Sequence, residues 1–276
     1  MSVTAALRFE DVCLRFGDVV ALDHVSFSVE PGQTRVIFGA AGSGKTQILK
    51  IAVGLVRPDS GRVFLFDTEI THLKESSLFD MRARVGILFQ EGGLFDSMNI
   101  AENVAYPLIN QRVLQSLTGK GGKSVDERVS DALRFVELEH TLAKFPNELS
   151  GGMRRRVGIA RAVVTEPALV LYDSPTAGLD PITANTIITL LLKERDMRNT
   201  ASLMVTHRYQ DGHLMANFRY NPTSGQLDAA ASSAAAHFTT KFWVMNEGKL
   251  VFEGTESELQ ASQDAYVRRF LRPGAA

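Results

Sequence analysis

Over the first part of the chain apolar and polar residues alternate. Leu7, Phe9 and Val12, then Leu14 and Phe16, then Val25, Phe27 and Val29 are apolar, with polar residues between them. A period of two predicts strands with one buried face. Turns such as Phe16-Gly17-Asp18 join them, and Pro31-Gly32 ends the run. Val36, Ile37 and Phe38 then follow without a polar break, as in a strand buried on both faces. A glycine-rich loop comes next, and after it Ile48, Ile51, Ala52 and Leu55 are spaced for one face of a helix. Residues 58–70 read as another hairpin, turning at Pro58-Asp59-Ser60-Gly61, and residues 85–89 as another buried strand. Residues 97–146 lack strand character. Within them Ser124 is placed to cap a helix carrying Val129, Leu133 and Val136, and residues 119–123 read as an exposed connector. Strand patterns return at 169–173, 202–206 and 242–245. Residues 208–240, with Asn221-Pro222-Thr223-Ser224-Gly225 and an alanine-serine run over 229–236, read as a surface loop. No internal repeat is visible. A mainly helical insertion inside alternating strands and helices predicts an α/β fold.

Composition narrows the function. The chain has 276 residues, 30 Lys and Arg against 31 Asp and Glu, and a formal net charge of −1. Bulk attraction to nucleic acid or anionic lipid is therefore excluded as the main mode of action. Hydrophobic residues at 45% and charged residues at 22% are those of a folded globular chain. The lone cysteine, Cys13, excludes a disulfide framework and a zinc site built of thiolates, and points to a reducing compartment. No apolar run reaches the ~20 residues of a membrane span, and the first residues lack the pattern of a signal peptide. Action at a membrane would require binding something embedded there.

Gly39-Ala40-Ala41-Gly42-Ser43-Gly44-Lys45-Thr46 fits G-x-x-x-x-G-K-[ST] between a predicted strand and a predicted helix. Such a match arises by chance on the order of once in 100 chains of this length, and the strand–loop–helix context makes chance rarer still. Glycines let backbone N–H groups turn inward around phosphates, and the helix start adds more. Lys45 is placed to reach the β- and γ-phosphates, and the Thr46 hydroxyl to ligate Mg²⁺. A second candidate anion site lies far off in sequence. There Ser150, before Gly151 and Gly152, is placed to cap a helix rich in arginine, Arg154-Arg155-Arg156. The arginines read as the polar face of that helix.

The segment Leu149-Ser150-Gly151-Gly152-Met153 resembles the signature motif of the ATP-binding cassette (ABC) family, and other positions then match. The resemblance implies a P-loop NTPase of ABC type: a RecA-like core sheet with an antiparallel β-subdomain over roughly 1–90 and 155–255, and a helical subdomain over 91–154. The loop at 208–240 and a C-terminal helical tail over 255–276 complete one cassette domain. Leu169-Val170-Leu171-Tyr172-Asp173 resembles the Walker B strand, with Asp173 placed to hold Mg²⁺ through water. Gln90 resembles the Q-loop glutamine, a Mg²⁺ contact, and Ala177-Gly178-Leu179-Asp180 the D-loop. His207 resembles the switch histidine at the γ-phosphate, and Phe16 the aromatic residue that stacks on adenine. In this family the signature of one subunit closes over ATP held by the P-loop of another. One chain carries one of each, so the resemblance implies a pair of cassettes, a homodimer in the simplest case.

One position departs from the pattern. The family normally has a glutamate after the Walker B aspartate, and this chain has Asp173-Ser174-Pro175-Thr176. Serine is a poor general base at neutral pH, and a general base is worth ~10²–10⁴-fold. Three readings stand: slow hydrolysis supported by His207, a substitute carboxylate such as Glu91, or ATP held with hydrolysis slow or supplied by a partner cassette. The expectation is that hydrolysis is retained.

Residues 90–107, the signature, Gly178 to Thr183, and Tyr266-Val267-Arg268-Arg269-Phe270-Leu271 are similar to the Mla-type ATPases. Those cassettes act with a membrane permease and an MCE-domain protein in phospholipid transport. The resemblance implies a motor peripheral to the cytoplasmic face of the bacterial inner membrane, with Leu94, Phe95 and Met98 offering apolar contacts to a permease helix. The rivals are a soluble cassette acting on nucleic acid and a nucleotide-gated clamp. The first usually carries two cassettes or long coiled coils, which 276 residues without heptads do not provide.

Overall fold

The computed structural model describes residues 5–110, 122–230 and 240–271. Two sheets carry the fold. One is antiparallel, in the order β2-β1-β4-β5, built from β1 (Leu7–Phe16), β2 (Val19–Val29), β4 (Ser60–Leu65) and β5 (Thr68–Glu69). The other has six strands in the order β12-β11-β3-β8-β7-β6. Its members are β3 (Thr34–Gly39), β6 (Val85–Leu88), β7 (Leu169–Asp173), β8 (Ala201–Val205), β11 (Thr240–Asn246) and β12 (Lys249–Gly254). All its neighbours pair in parallel except β11 and β12.

The six-stranded sheet divides two hydrophobic cores, and the period of two sends successive residues to opposite ones. Val36 and Phe38 on β3, Val170 and Tyr172 on β7, and Phe242 and Val244 on β11 face one core. It is filled by α3 (Ile100–Asn110), α4 (Val125–Phe135), α5 (Gly151–Val163) and α6 (Pro181–Arg198). Ile37, Leu169, Leu171, Trp243 and Met245 face the other core, with the antiparallel sheet and α1 (Lys45–Ala52). A central strand covered on both faces therefore has no polar position to show, which is why β3 is buried at all six residues. The short helix α2 (Glu75–Arg82) packs beside α1 through Leu78, whose side chain lies against Gly54.

Several boundaries follow from caps foreseen in the sequence. Ser124 caps α4 in a reciprocal box with Glu127. Ser150 accepts the Met153 N–H at 3.2 Å, and Asp180 accepts the Ile182 and Thr183 N–H groups at 3.0 Å. Helix α1 stops at Ala52, so Leu55 is not on its inner face and is 57% exposed. The connector expected at 119–123 lies outside the described residues except Gly122 and Lys123.

The expected loop over 208–240 is corrected. Residues 209–217 form helix α7 (Tyr209–Asn217), and β9 (Phe218–Asn221) pairs with β10 (Gln226–Ala229) around a turn. Residues 231–239 lie outside the described residues. Helix α7 was hidden because its inward face carries Asp211 and Gly212 beside Met215. A Cβ on Gly212 would lie 2.6 Å from the Phe242 ring, so glycine is what permits this close approach. The hairpin is held from below by α6. Arg195 donates to the carbonyls of Met215 at 2.6 Å and Phe218 at 3.1 Å, and Asp196 accepts the Tyr220 N–H at 2.8 Å. The tail follows as α8 (Glu256–Ala261) and α9 (Ala265–Arg269). It is tied to α7 through Glu256, which accepts from Tyr209 and lies 2.8 Å from His213 Nδ1.

Candidate functional site

The glycine-rich loop leaves β3 at its carboxyl edge and enters α1. This is the edge of a parallel sheet where ligands gather. Gly44 has φ 102°, and a Cβ there would fall 2.3 Å from the Ala21 carbonyl oxygen, so no other residue fits. Lys45 folds back over the loop. Its Nζ donates to the carbonyls of Gly39 and Ala40 at 2.7 Å and to Ser43 Oγ at 3.3 Å. Burial lowers its pKa, and Asp173 partly opposes that shift. Thr46 Oγ1 donates to Asp173 Oδ2 at 3.4 Å, bringing the start of α1 to the end of β7.

These residues form the floor of a cleft of about 820 Å³. Phe16, Gly39, Ala40, Ala41, Gly42, Gly44, Lys45, Thr46, Gln90, Asp173 and His207 all reach its wall. Ser43 is buried behind the loop. Phe16 is 52% exposed at the tip of the β1–β2 hairpin, a large apolar ring left facing the cleft. Ser150, Gly151, Gly152 and Asp180 are absent from the wall. They sit at the starts of α5 and α6. Within one chain these residues therefore stand apart from the cleft.

Ser174 reaches the cleft as well. It has φ 48°, and its hydroxyl donates to Asp173 Oδ1 at 3.2 Å. Glu91, named from sequence as a substitute carboxylate, is exposed and is not part of the cleft wall.

Among the wall residues that sequence reasoning missed, three come from the tail, Tyr266, Arg269 and Phe270. The Tyr266 hydroxyl accepts the Ala40 N–H at 3.3 Å and donates to the Met245 carbonyl at 3.1 Å. Their only signal was a short stretch of family-like sequence some 220 residues downstream of the loop.

The arginines of α5 also differ from expectation. Arg155, expected on a polar face, is buried, and so is Arg161 further along the helix. They are 6% and 8% exposed. Arg155 donates to the carbonyls of Ser174, Pro175 and Ala177 at 3.3, 2.7 and 3.2 Å. Arg161 donates to those of Gly92 and Gly93 at 2.9 and 2.8 Å. The signature helix therefore fixes the loops after β7 and after β6 through their backbones, using the several N–H donors of each guanidinium.

A buried carboxylate links the same loop to the switch segment. Asp211 Oδ2 accepts from Thr176 Oγ1 at 2.6 Å and Thr206 Oγ1 at 2.8 Å. Burial raises its pKa, against the two hydroxyls and Arg208. Asp211→Ala leaves the Thr176 hydroxyl without a partner and the Thr206 hydroxyl with only the Arg208 N–H at 3.1 Å. One group orphaned in full, at ~1–3 kcal/mol, and one in part predict a loss of about 2–4 kcal/mol. Asp211→Asn keeps the acceptor and loses much less. Urea unfolding of the two variants checks this, and equal losses would disprove it.

Residues 22–177 match the ABC transporter family. The chain belongs to that family. Its relatives include the intermembrane phospholipid transport system ATP-binding protein MlaF of Escherichia coli, 32% identical over 98% of this chain and 90% of that one. The methionine import ATP-binding protein MetN 2 of Rhodococcus jostii is 38% identical, but over 74% of this chain and 59% of its own length. Among solved structures, a dimeric ATP-binding cassette in a post-hydrolysis state with ADP and Pi superposes with TM-score 0.72 at 26% identity, over 90% of this chain and 98% of that one. A nucleotide-free ABC cassette gives 0.72 at 28% identity, over 98% and 99%. The ABC cassette described here is thus an ATP-binding, ATP-hydrolysing subunit with the α/β fold that its motifs implied. Among its described residues no helix is long and apolar enough to cross a membrane.

Proposed function

We propose that this cassette drives phospholipid movement as one of a pair of ATPase subunits. The pair sits peripherally on the cytoplasmic face of a bacterial inner membrane, beneath permease subunits and with an MCE-domain protein in the same system. The observation that carries the lipid assignment is the extent of the MlaF likeness, 98% of this chain against 74% for MetN 2.

In this reading ATP lies in the cleft. Its base stacks on Phe16 and its phosphates rest on the N–H groups of residues 39–46, with Lys45 at the β- and γ-phosphates. The donor set suits Mg²⁺, because Thr46 and Asp173 bring hard oxygens within 3.4 Å of each other and Gln90 supplies another. Bound Mg²⁺ would neutralise charge on the terminal phosphates. His207 meets the γ-phosphate. Ser150, Gly151 and Gly152 of the partner cassette cover the phosphates from the other side, and Asp180 lies at the seam between the two. Asp180 is already held as a carboxylate, its pKa lowered first by the Thr183 side chain and then by backbone N–H groups.

The permease has a groove to grip. Leu55, Phe89 and Phe95, at 57%, 47% and 39% exposure, line a groove of about 380 Å³. Of the residues named from sequence, Phe95 serves there, Leu94 packs inward, and Met98 lines a different hollow beside α3 and α4. Closure of the pair moves this groove. Only the difference in ATP affinity between open and closed pairs drives that motion.

The test is reconstitution with the cognate permease in vesicles holding both a fluorescent phospholipid and methionine. ATP-dependent transfer of the lipid alone supports the assignment, and methionine uptake without lipid transfer refutes it. A second expectation concerns the base. Phe16→Ala removes one stacking contact, worth ~1–3 kcal/mol, and weakens ATP binding by about tenfold, while Phe16→Tyr does not. Fluorescent-nucleotide titration checks this.

A further inference from the structure

The register of the β1–β2 hairpin shifts three times, and the last shift, between Leu14–Leu22 and Arg15–Val20, lies nearest the turn. Between the pairs Phe9–Phe27 and Val12–Val25 the extra residue is on β1, and between Val12–Val25 and Leu14–Leu22 it is on β2. Asp11 on β1 and His24 on β2 take up the slack, each with φ 53°. Neither is glycine, and L residues avoid this conformation. Bulges of this kind redirect side chains, and here the two face each other. His24 Nδ1 lies 2.7 Å from Asp11 Oδ1, and the His24 N–H donates to Cys13 Sγ at 3.3 Å. The other ring nitrogen, Nε2, is 3.7 Å from Asp23 Oδ1. Asp23 Oδ2 is engaged by Lys249 Nζ at 3.1 Å. One ligand atom each from Cys13, Asp23 and His24 lies within 4.8 Å of the others.

We propose that this bulged hairpin binds one divalent transition-metal ion of the zinc class, through Cys13 Sγ, His24 Nε2 and Asp23 Oδ1, with water in the fourth position. The donor chemistry selects the ion. A thiolate and an imidazole suit zinc and its neighbours, whereas calcium and magnesium take oxygen. Asp11 acts one layer out. A histidine that gives its Nδ1 proton to a carboxylate presents the Nε2 lone pair to a metal in a fixed orientation. Each atom of the cluster then has a partner: Asp11 for Nδ1, Lys249 for one Asp23 oxygen, the ion for Nε2 and the other oxygen, and both the ion and the His24 N–H for sulfur. Cys13 and Asp23 are half-buried and His24 is exposed, so the ring is free to close onto an ion arriving from solvent. Cysteine count alone excluded a zinc site built of thiolates. The fold instead assembles a mixed set from two strands, with a single sulfur.

The experiment uses the full chain, stripped with chelator and saturated with Mg²⁺ and ATP so that the cleft is filled. Zn²⁺ is titrated against a chromophoric chelator, and Co²⁺ serves as a spectroscopic probe. The expected result is one equivalent of Zn²⁺ per chain and a near-ultraviolet thiolate-to-cobalt band. Cys13→Ser abolishes the band and lowers Zn²⁺ affinity. Asp11→Asn keeps the band and weakens affinity about 10–100-fold, as loss of an orienting carboxylate does. No band, or a band that survives Cys13→Ser, overturns the proposal. If Cys13→Ser does not fold, His24→Gln at its exposed position decides: unchanged Zn²⁺ affinity overturns the site, and lost affinity supports it.

Discussion

Ser174→Glu is expected to raise steady-state ATP turnover by about 10²-fold or more, toward the ~10²–10⁴ that a positioned general base contributes. Ser174 stands on the cleft wall directly after Asp173, and its hydroxyl is spent on the Asp173 carboxylate at 3.2 Å. Among the described residues no other carboxylate except Asp173 reaches that wall, and Asp173 is committed to Thr46. A glutamate there would carry its carboxylate further into the cleft than a serine hydroxyl and would accept a proton from water. The backbone supplies a control. At φ 48° any L residue bears ~1–2 kcal/mol of strain. Ser174→Gly relieves that strain and adds no base, so it should raise stability and leave turnover slow. Equal acceleration by glycine and glutamate would mean that strain, not the missing carboxylate, limits the rate. No acceleration by either would mean that hydrolysis is supplied elsewhere, as in a nucleotide-gated clamp.

Lys45→Ala is expected to reduce turnover by about 10²–10³-fold, the scale for removing one preorganised charge-stabilising donor. The ammonium is held by Gly39, Ala40 and Ser43 at the mouth of the loop. It is partly desolvated, which lowers its pKa and strengthens its pull on an incoming phosphate. The fold should survive, since the two carbonyls released lie on an open cleft where water replaces the ammonium. The double variant Lys45→Ala with Ser174→Glu separates the roles. If both residues act on one turnover, the gain from glutamate disappears in the lysine-free background. A gain that persists would show the added carboxylate working on a different reaction. Phosphate-release assays on the four proteins, with circular dichroism to verify folding, are sufficient.

Slow chemistry and fast closure are compatible in this cassette. In the proposed pair, ATP binding would still join the two cassettes, and slow hydrolysis at Ser174 would lengthen the time they stay joined. The buried ties that organise this region do not depend on Ser174. Arg155 grips the backbone carbonyls of Ser174 and Pro175, and Asp211 links Thr176 to Thr206, the neighbour of His207. These contacts hold the segment after β7 and the switch segment in one unit, so a change at the nucleotide would move both together.

The sequence by itself determined the features whose physics is local. The phosphate loop was legible because a short run of backbone N–H groups, one lysine and one hydroxyl must be contiguous to cradle a phosphate. The caps at Ser124, Ser150 and Asp180 were legible because a cap acts within three residues. The central strands were legible because burial on both faces leaves apolar runs such as Val36-Ile37-Phe38 without a polar break. The tertiary structure alone decided what depends on meeting across the fold. The side chain of Arg155 looked solvated until the carbonyls it holds came into view, since charge says nothing of distant partners. Helix α7 was masked by a buried aspartate and a glycine that make sense only against Thr176, Thr206 and Phe242. Tyr266 reaches the phosphate loop from the far end of the chain. Cys13 meets Asp23 and His24 only across a hairpin whose register is shifted by bulges. Local periodicity records which face is buried, and it carries no record of which distant atoms will fill it.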